Sequence, residues 1–507
     1  MQYLAKHKFI FLALALLLVV YFVTRLITLT SLPIFTDEAI YVRWAQIAHD
    51  DAAWRFISLT DGKQPSYIWG AILSLELFKD PLFAGRMVSV IAGFFSVVGL
   101  FFSGREIFRN TKIGLLAAGL YVIYPFAMVY DRLAIYDSLV FMFMTWALYF
   151  TVLLIRHIRL DIAMILGMII GGGMLTKSSA NFAFILLPFS LLLFPFKKKI
   201  DKRKIGLWAV FATTAFILAQ VMYSVLRLSP FYHIIGQKNL TFIYSFSDWF
   251  QSPFAFVWGN LDGLTTWLIG YVSIPFLLLA FASFVIKREF TREKLLLIIW
   301  FIVPFMALAF FGKVIYPRFI FFMTMPLILL GSFGLYYLMN YVKKLWIKII
   351  ILLVFTISWL YSSYFVITDF GNAPIPNSDK AQLYAAWPAG GGVIETIAFL
   401  EKEAAKEPIF VGTQGTFGLM PYALEIYLAK NPNIKIQGYW PIEDNPPQEL
   451  LDASKEKPTY IVFYQPCSSC GGTGIAPASW NLEKIYQIEK DEKGAFYTLY
   501  QVKPLEE

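Results

Sequence analysis

The stretch that decides the fold runs from Phe35 to Tyr67 and reads FTDEAIYVRWAQIAHDDAAWRFISLTDGKQPSY. It follows the first long apolar run and concentrates carboxylates in a chain that is otherwise poor in charge: Asp37, Glu38, Asp50, Asp51 and Asp61. An adjacent carboxylate pair directly beyond an apolar run, followed by a Lys-x-Pro turn, indicates a reactive loop at a membrane surface. The remaining sequence is interpreted outward from this loop.

The composition predicts a polytopic α-helical membrane protein. Of 507 residues, 58% are hydrophobic and 15% are charged, and the mean hydropathy is +0.61. A soluble protein carries about 25% charged residues, so this apolar excess requires lipid. The net charge of +9 does not indicate nucleic-acid binding, because the basic residues form short clusters between apolar runs, where they orient a membrane protein.

A spanning helix needs about 20 mostly apolar residues. The run from Phe9 to Val23 lacks a small-residue cleavage site, so we expect it to be retained as the first span. The sequence predicts eleven spans, at residues 8–30, 82–104, 112–128, 135–155, 160–176, 179–196, 205–226, 263–286, 295–312, 318–340 and 348–368.

The basic clusters predict that the N-terminus is cytoplasmic. This choice puts the short basic segments on the inner side: residues 105–112, 156–159, 197–204, 287–294 and 343–348. The loops 31–81 and 227–262 and the C-terminal tail then face the extracytoplasmic side of the cell membrane. We expect two domains, a transmembrane domain at 1–368 with 31–81 as its catalytic loop, and a soluble domain at 369–507.

The tail is predicted to be a small α/β domain. Strands are expected at 408–413, 433–439, 459–464 and 495–500, with a helix at 417–430. The glycines of GTQGTFG (412–418) are interpreted as a turn, because the run lacks the Lys-Ser/Thr of a P-loop and the full dinucleotide fingerprint. Cys467 and Cys470 are too few for a four-ligand zinc site, but they can close a small disulfide outside the cell.

Asp37 and Glu38 open a predicted helix for which Thr36 is the expected cap. The structural alternative is that first-turn carboxylates only complement the helix dipole. Tyr41 lies four residues after Asp37, so phenol and carboxylate share one helix face, at the membrane surface where a lipid phosphate arrives. This placement favours a functional role for Asp37 and Glu38.

Further candidates lie at the predicted outer ends of the spans. Lys63 precedes Pro65, whose restricted backbone can aim a cation at phosphate oxygens; the alternative is a solvated turn. Asp137 opens the fourth span, and an ion pair with Arg132 that only pins the loop is its alternative role. For Lys177 and Arg318, the alternative is that the side chain only snorkels to the membrane interface. For Tyr316, Tyr232 and His233, the alternative is a place in the aromatic belt at that interface.

This set resembles the PMT/ArnT-like membrane glycosyltransferases, that is, protein O-mannosyltransferases (glycosyltransferase family 39) and aminoarabinose transferases of lipid A, which have the GT-C fold. The likeness covers residues 1 to about 340 and rests on five motifs: Asp37-Glu38-x-x-Tyr41, Lys63-Gln64-Pro65, Arg132 with Asp137, Leu175-Thr176-Lys177-Ser178, and Arg318-Phe319 through Pro326. Three positions depart from the family pattern: Gln64 replaces a Pro, Ser178 a Gly and Phe319 a Tyr.

The resemblance implies a polyprenyl-phosphate sugar donor, an acceptor hydroxyl on protein, glycan or lipid at the outer face, and inversion by direct displacement. Asp37 then resembles the general base, and burial beside Glu38 is expected to raise its pKa. Lys63, Arg132, Lys177 and Arg318 are expected to bind the donor phosphate, and Tyr41, Asp137, Tyr316 and His233 the substrates. No cofactor is required with certainty. Carboxylates at Asp37 and Asp137 suit Mg²⁺, Ca²⁺ or Mn²⁺, and the sequence leaves a divalent cation open.

Two other functions, transport and non-catalytic assembly, make different predictions for the same residues. A lipid-linked sugar flippase or solute transporter would place broken helices and charges near the midplane in paired halves, whereas here the charges gather at one surface. A non-catalytic assembly protein would tolerate joint loss of the outer carboxylates. The sugar, the acceptor class and the oligomeric state are not encoded in any recognisable motif.

Overall fold

The computed structural model describes residues 2–194, 202–252 and 254–504. The predicted basic segment 197–204 lies partly outside this range. Up to residue 368, the described part of the chain is mostly helical, and its α-helices are α1 (Gln2–Leu26), α2 (Thr36–Asp50), α3 (Ser66–Leu75), α4 (Pro81–Phe108), α5 (Thr111–Val122), α6 (Pro125–Tyr130), α7 (Asp137–His157), α8 (Leu160–Met174), α9 (Phe182–Leu186), α10 (Lys202–Tyr223), α11 (Ile234–Phe242), α12 (Phe246–Gln251), α13 (Val257–Val272), α14 (Ile274–Ile286), α15 (Thr291–Phe311), α16 (Met325–Tyr341) and α17 (Leu345–Thr368).

The polytopic helical architecture is confirmed. Within the described residues, six helical segments are long and apolar enough to cross a membrane. Helices α13 and α14 together are also long and apolar enough, but they bend by 92° at their junction, as in a broken span or a re-entrant loop. The four other predicted spans coincide with shorter apolar helices, at 12–26, 111–122, 160–174 and 178–193. The count of eleven and the side of the membrane that each loop faces stay predictions.

The catalytic loop predicted at 31–81 is itself mostly helical and is held against the bundle. Helix α2 begins at Thr36 with Phe35, not the predicted Thr36, as its cap residue. The Glu38 carboxylate accepts the Phe35 N–H at 3.3 Å, which satisfies one of the unpaired donors of the first turn. Helix α4 begins after Asp80, whose side chain accepts the Phe83 N–H at 2.6 Å. The loop is therefore a rigid platform.

The tail contains the predicted α/β fold. Its helices are α18 (Asn377–Lys380), α19 (Val393–Ala404), α20 (Tyr422–Leu428) and α21 (Gln448–Glu456), and its strands are β1 (Ile409–Gln414), β2 (Ile434–Tyr439), β3 (Thr459–Phe463), β4 (Leu482–Glu489) and β5 (Phe496–Val502). The sheet order is β2-β1-β3-β5-β4, with β2, β1 and β3 parallel and β3, β5 and β4 antiparallel. The four predicted strands are confirmed, and β4 was missed because its residues are mostly half-exposed and polar. Cys467 and Cys470 form a disulfide, as expected.

The tail packs onto α2 through its helix α20 and the residues before α19. Gln46 and Arg43 of α2 contact α20: the Gln46 amide donates to the Ile426 carbonyl at 2.8 Å, and Arg43 pairs with Glu425 at 2.7 Å. At the start of α2, the Thr36 N–H donates to the Pro388 carbonyl at 3.0 Å. The helix that carries Asp37 is therefore held between the bundle and the tail.

Candidate active site

Asp37 and Arg318 form the centre of the candidate site. Asp37 lies in the first turn of α2, and Arg318 lies in a short 3₁₀ turn, Pro317–Ile320, directly before α16. Their side chains form an ion pair, with 2.9 Å between Nη2 of Arg318 and Oδ2 of Asp37. The Asp37 side chain stays 19% exposed, so a substrate can reach it. Residues 281 positions apart in the sequence thus meet at one point, as the motif set predicted.

Lys63 and Tyr41 lie beside this pair. The Lys63 ammonium donates to the Tyr41 hydroxyl at 3.1 Å, and Tyr41 lies on the same helix as Asp37, one turn further on. The preceding Gly62 has φ +66°, and a Cβ there would lie 2.8 Å from the Ile234 carbonyl oxygen. Only glycine fits this turn, which fixes the approach of Lys63.

Asp137 pairs with Lys177, not with Arg132. The distance between Lys177 Nζ and Asp137 Oδ1 is 2.8 Å, and the ammonium also lies 4.5 Å from the centre of the Phe319 ring. The predicted alternative, an Asp137–Arg132 ion pair, is therefore wrong. Phe319, one of the three departures from the family pattern, contributes a cation–π contact here.

The charges around Asp37 act against the expected rise in its pKa. Burial raises the pKa of Asp37, but Arg318, Lys63 and Lys177 together outweigh it and hold the value below the usual range. Burial lowers the pKa of Lys63 in turn, although Asp37 and Asp61 oppose this shift. The expectation of a raised pKa was wrong because it considered Glu38 as the neighbour, whereas three cations surround Asp37.

Glu38 lies in the interior rather than in the cleft. Its carboxylate forms two hydrogen bonds with Arg86, at 2.8 and 2.7 Å, and accepts the Ala134 N–H at 2.7 Å. Both side chains of this ion pair are 0% exposed. Because both oxygens are occupied and no substrate can reach them, the catalytic role predicted for Glu38 does not fit this position. Glu38 joins α2 to α4 and to the segment before α7.

Arg132 is also separate from the Asp37 cluster. Its guanidinium donates to the carbonyls of Thr24, Ile27 and Thr28, which belong to the last turn of α1 and the residues that follow it. A cation at the C-terminal end of a helix stabilises the carbonyl dipoles there. A cavity of about 240 Å³ adjoins this side of Arg132. The phosphate-binding role predicted for Arg132 does not fit this geometry.

The two remaining substrate candidates differ in position. The Tyr316 ring centre lies 4.7 Å from the Arg318 guanidinium carbon, so Tyr316 borders the site. His233 is exposed, and its Nδ1 lies 3.0 Å from the Pro230 carbonyl oxygen. Among the contacts of the described residues, none joins His233 to the Asp37 cluster, and its predicted binding role lacks support.

A divalent cation does not fit the carboxylates that the sequence suggested for it. Asp37 is paired with Arg318 and Asp137 with Lys177, each through one carboxylate oxygen, so each carboxylate already has a cationic partner that a metal ion would have to displace or repel. Within the described part of the chain, no three His, Cys, Asp or Glu side chains are grouped as metal ligands. No step below is routed through a metal.

Sequence reasoning missed two polar residues of this region, Lys238 and Asp379. Lys238 of α11 pairs with Asp61 at 2.5 Å, which fixes the turn before Lys63. Asp379, in the tail, is fully buried and faces the transmembrane part. Neither follows an apolar run or matches a motif, so no local signal could have found them.

The arrangement joins one reachable carboxylate to three cations in a largely buried setting. Such a site can bind an anionic group at its cations and accept a proton at Asp37. The surrounding phenols of Tyr41, Tyr67 and Tyr136 form an aromatic wall with ring centres 4.5 to 6.0 Å apart. This chemistry fits group transfer from an anionic leaving group.

The family model described as dolichyl-phosphate-mannose-protein mannosyltransferase matches residues 63–223. Crystal structures of ArnT from Cupriavidus metallidurans match over 98% of this chain and 98% of theirs, the apo form with TM-score 0.60 and 14% identity and the form bound to undecaprenyl phosphate with 0.58 and 15%. The oligosaccharyltransferase of Archaeoglobus fulgidus, tethered with an acceptor peptide containing the NVT sequon, matches over 98% of this chain and 74% of its own, with TM-score 0.56 and 12% identity. No curated protein sequence matches the chain.

The structural likenesses show that the chain has the GT-C fold. The family model adds a sequence likeness to the dolichyl-phosphate-mannose-protein mannosyltransferases over residues 63–223, the segment that holds Lys63, Asp137 and Lys177.

Proposed function

We propose that this enzyme transfers a sugar from a polyprenyl-phosphate donor to an acceptor hydroxyl at the extracytoplasmic face of the membrane. The observation that carries the proposal is the Asp37–Arg318 ion pair at 2.9 Å, with Lys63 and Lys177 acting on the same carboxylate. In the reaction, Asp37 takes the proton of the acceptor hydroxyl while the oxygen of that hydroxyl attacks the anomeric carbon of the donor sugar. The bond from that carbon to the phosphate oxygen breaks, with inversion, and polyprenyl phosphate leaves as an anion.

The cations are assigned to the leaving group. A guanidinium and two ammonium groups can hold the phosphate oxygens by charge-assisted hydrogen bonds. They also stabilise the charge that develops as the glycosidic bond breaks, which is usually the largest contribution to catalysis. Arg318 is central because it already contacts Asp37 and has Tyr316 stacked against it.

The lowered pKa of Asp37 is compatible with a basic role once the donor is bound. In the free enzyme the three cations favour ionised Asp37 and weaken it as a base. The negative charge of a bound donor phosphate offsets part of the positive potential that the three cations exert at Asp37. The pKa of Asp37 therefore rises when the donor is bound. The base is therefore ionised at rest and becomes stronger only beside the donor.

The comparisons support the donor class in general terms. One matched structure is of ArnT bound to undecaprenyl phosphate, and another is of an archaeal oligosaccharyltransferase in complex with an inhibitory peptide and a dolichol-phosphate. Acceptors of this chain are proposed to carry a hydroxyl on protein, glycan or lipid. The extracytoplasmic orientation rests on the basic clusters between spans.

The test is to incubate the purified, detergent-solubilised protein with a panel of polyprenyl-phosphate sugars and candidate acceptors. We expect free polyprenyl phosphate and a glycosylated acceptor of inverted anomeric configuration, measured by mass spectrometry and NMR. Nucleotide sugars serve as the control donors and should give no product. A protein that moves the intact lipid-linked sugar across liposomes without releasing polyprenyl phosphate would contradict the proposal and favour a flippase.

A further inference from the structure

Residues 373–392, which connect α17 to the tail sheet and which we call the strap, contact the residues directly before Asp37 at one end and the aromatic residues near the Arg318 turn at the other. At one end, the Pro388 carbonyl accepts hydrogen bonds from the N–H and the hydroxyl of Thr36, both at 3.0 Å. Ala389 forms an isolated β-bridge with Phe35. The strap therefore holds the first turn of α2, immediately before Asp37.

At its other end the strap inserts Asp379 into the transmembrane part. Asp379 is fully buried. The Tyr130 hydroxyl donates to one carboxylate oxygen at 2.8 Å, and the Tyr271 hydroxyl donates to the other. Pro376 packs against Gly270, where a Cβ would lie 3.0 Å from the proline ring. Asp379 thus links α6 and α13 through two phenols.

These two phenols support the turn that carries Arg318. Tyr271 stacks on Phe126 with 3.9 Å between ring centres, and Phe126 lies 4.9 Å from Phe321. Tyr130 lies 5.7 Å from the same Phe321 ring. The Phe321 N–H donates to the Arg318 carbonyl at 3.2 Å, so the aromatic cluster is continuous with the Arg318 turn.

If Asp379 served only to join Tyr130 and Tyr271, the desolvation of its charge would be a large free-energy cost for that structural role. Among the described residues, no Lys or Arg lies within ion-pair distance of Asp379, and a buried charge without such a partner is costly. An apolar pair in the same space would stabilise the protein more. A charge kept at this cost indicates a function.

We propose that Asp379 is a positioning residue for sugar transfer, by which the strap sets the place and the field of Arg318 opposite Asp37. The inference rests on the proposed function. Loss of the Asp379 charge leaves more of the Arg318 charge to act on Asp37, which weakens the base, while the site becomes more positive and holds the donor phosphate at least as well. The expected signature is a lower kcat with an unchanged or lower KM for the donor, which a loosened structure would not give.

The charges around Asp379 make this role dependent on pH. Burial raises the pKa of Asp379 to about 6, the phenols of Tyr271 and Tyr130 and the charge of Arg318 lower it, and Asp137 raises it. These groups come from α13, α6, the Arg318 turn and α7, the elements that act on the carboxyl. The ionised form is the one that accepts both phenols, so activity should fall as the pH decreases through about 6.

The experiment compares the wild-type enzyme with Asp379→Asn and with the matched control Asp369→Asn, at the exposed residue just before the strap. Steady-state transfer is measured between pH 5 and 8 with the donor that the wild-type enzyme uses. For Asp379→Asn we expect kcat at pH 7.5 to fall at least about tenfold, with donor KM not raised and without the decline near pH 6. Asp369→Asn should match the wild type. If Asp379→Asn does not yield folded protein, Tyr271→Phe serves instead: it keeps the carboxylate but removes a hydrogen bond that lowers the pKa of Asp379. In that variant the acid decline of kcat should move to higher pH, with donor KM not raised.

The outcomes separate the two proposals. A wild-type protein that uses no polyprenyl-phosphate sugar contradicts the proposed function itself. A wild-type enzyme that transfers sugar, with Asp379→Asn or Tyr271→Phe at wild-type kcat and unaltered pH profile, contradicts only the role of Asp379. A variant with raised KM and proportional loss of folded protein would show that Asp379 is structural and would also overturn the inference.

Discussion

Asp37 and Glu38 are neighbours in the sequence, and their substitution should have opposite consequences. In Glu38→Gln one of the two carboxylate oxygens becomes an amide NH₂. One oxygen accepts from Arg86 Nε and the Ala134 N–H, and the other from Arg86 Nη2 and the Phe35 N–H. Whichever oxygen is replaced, two buried donors lose their acceptor and face another donor.

The magnitude follows from burial. Arg86 is 0% exposed, and in the variant it keeps one neutral amide oxygen and backbone carbonyl partners, such as Leu29 at 2.7 Å, but no counter-charge. Removing one partner of a buried ion pair costs about 3–5 kcal/mol, because the other charge stays buried without compensation. For a chain of 507 residues, an unfolding entropy of about 2.1 cal/mol/K per residue converts this loss into a Tm decrease of about 3–5 °C.

The assay is thermal unfolding of the detergent-solubilised variants, followed by intrinsic fluorescence and by loss of the monodisperse peak on size exclusion, with transfer measured at low temperature on the folded fraction. Glu38→Gln should have a lower Tm than the wild type, and its kcat per folded molecule should stay within a few fold of the wild-type value. The double variant Glu38→Gln/Arg86→Met, which removes the unpaired cation, should recover part of the Tm. A Glu38→Gln protein with wild-type Tm and no transfer would refute this reasoning and return Glu38 to catalysis.

Further expectations concern the phosphate site and the tail. Arg318→Gln should lower kcat/KM for the donor by about 10²–10³-fold, and Arg318→Lys should recover only part, since an ammonium lacks the planar fork; equal activity of all three proteins would contradict the role of Arg318. Lys490 donates to the carbonyls of Ala386, Trp387 and Ala389, and burial lowers its pKa to about 7. Between about pH 7 and 10.5 the unfolded chain therefore binds more protons, and this residue's contribution to stability rises with pH; the Tm difference between wild type and Lys490→Met should change across that window, and a constant difference would argue against it. The disulfide closes a loop of sequence separation 3 and contributes about 2 kcal/mol to stability. The double Cys→Ser variant should therefore have a slightly lower Tm and an unchanged rate of transfer. Thiol titration of the native protein should detect no free thiol before reduction.

The sequence predicted the architecture well because the bilayer imposes a length on each apolar run. Each predicted span coincides with an apolar helix of the structure. The residues at the ends of those runs that were predicted to face one side, Asp37, Lys63, Lys177 and Arg318, indeed come together. Charges at helix ends on one side of a membrane have little volume in which to separate, so their proximity can be inferred from order alone.

The roles of single residues could not be inferred in this way. Adjacent residues on a helix point about 100° apart, so Asp37 faces the cations while Glu38 faces Arg86, and no pattern in the sequence says which. Arg132 follows the family spacing but caps the end of α1, because the free carbonyls there are the nearer acceptors. Asp379 depends on a long-range contact from the tail, which hydrophobic periodicity does not encode.

The most direct test of Asp37 as the general base is to measure sugar transfer by Asp37→Asn, reconstituted in liposomes beside the wild type. The surface variant Asp161→Asn, at a carboxylate that pairs with Arg159 away from the site, is the control. We expect Asp37→Asn to fold, insert and bind polyprenyl phosphate, while transfer falls by at least about 10³-fold and the control is unaffected. Transfer by Asp37→Asn at the wild-type rate would contradict the role of Asp37 as the base.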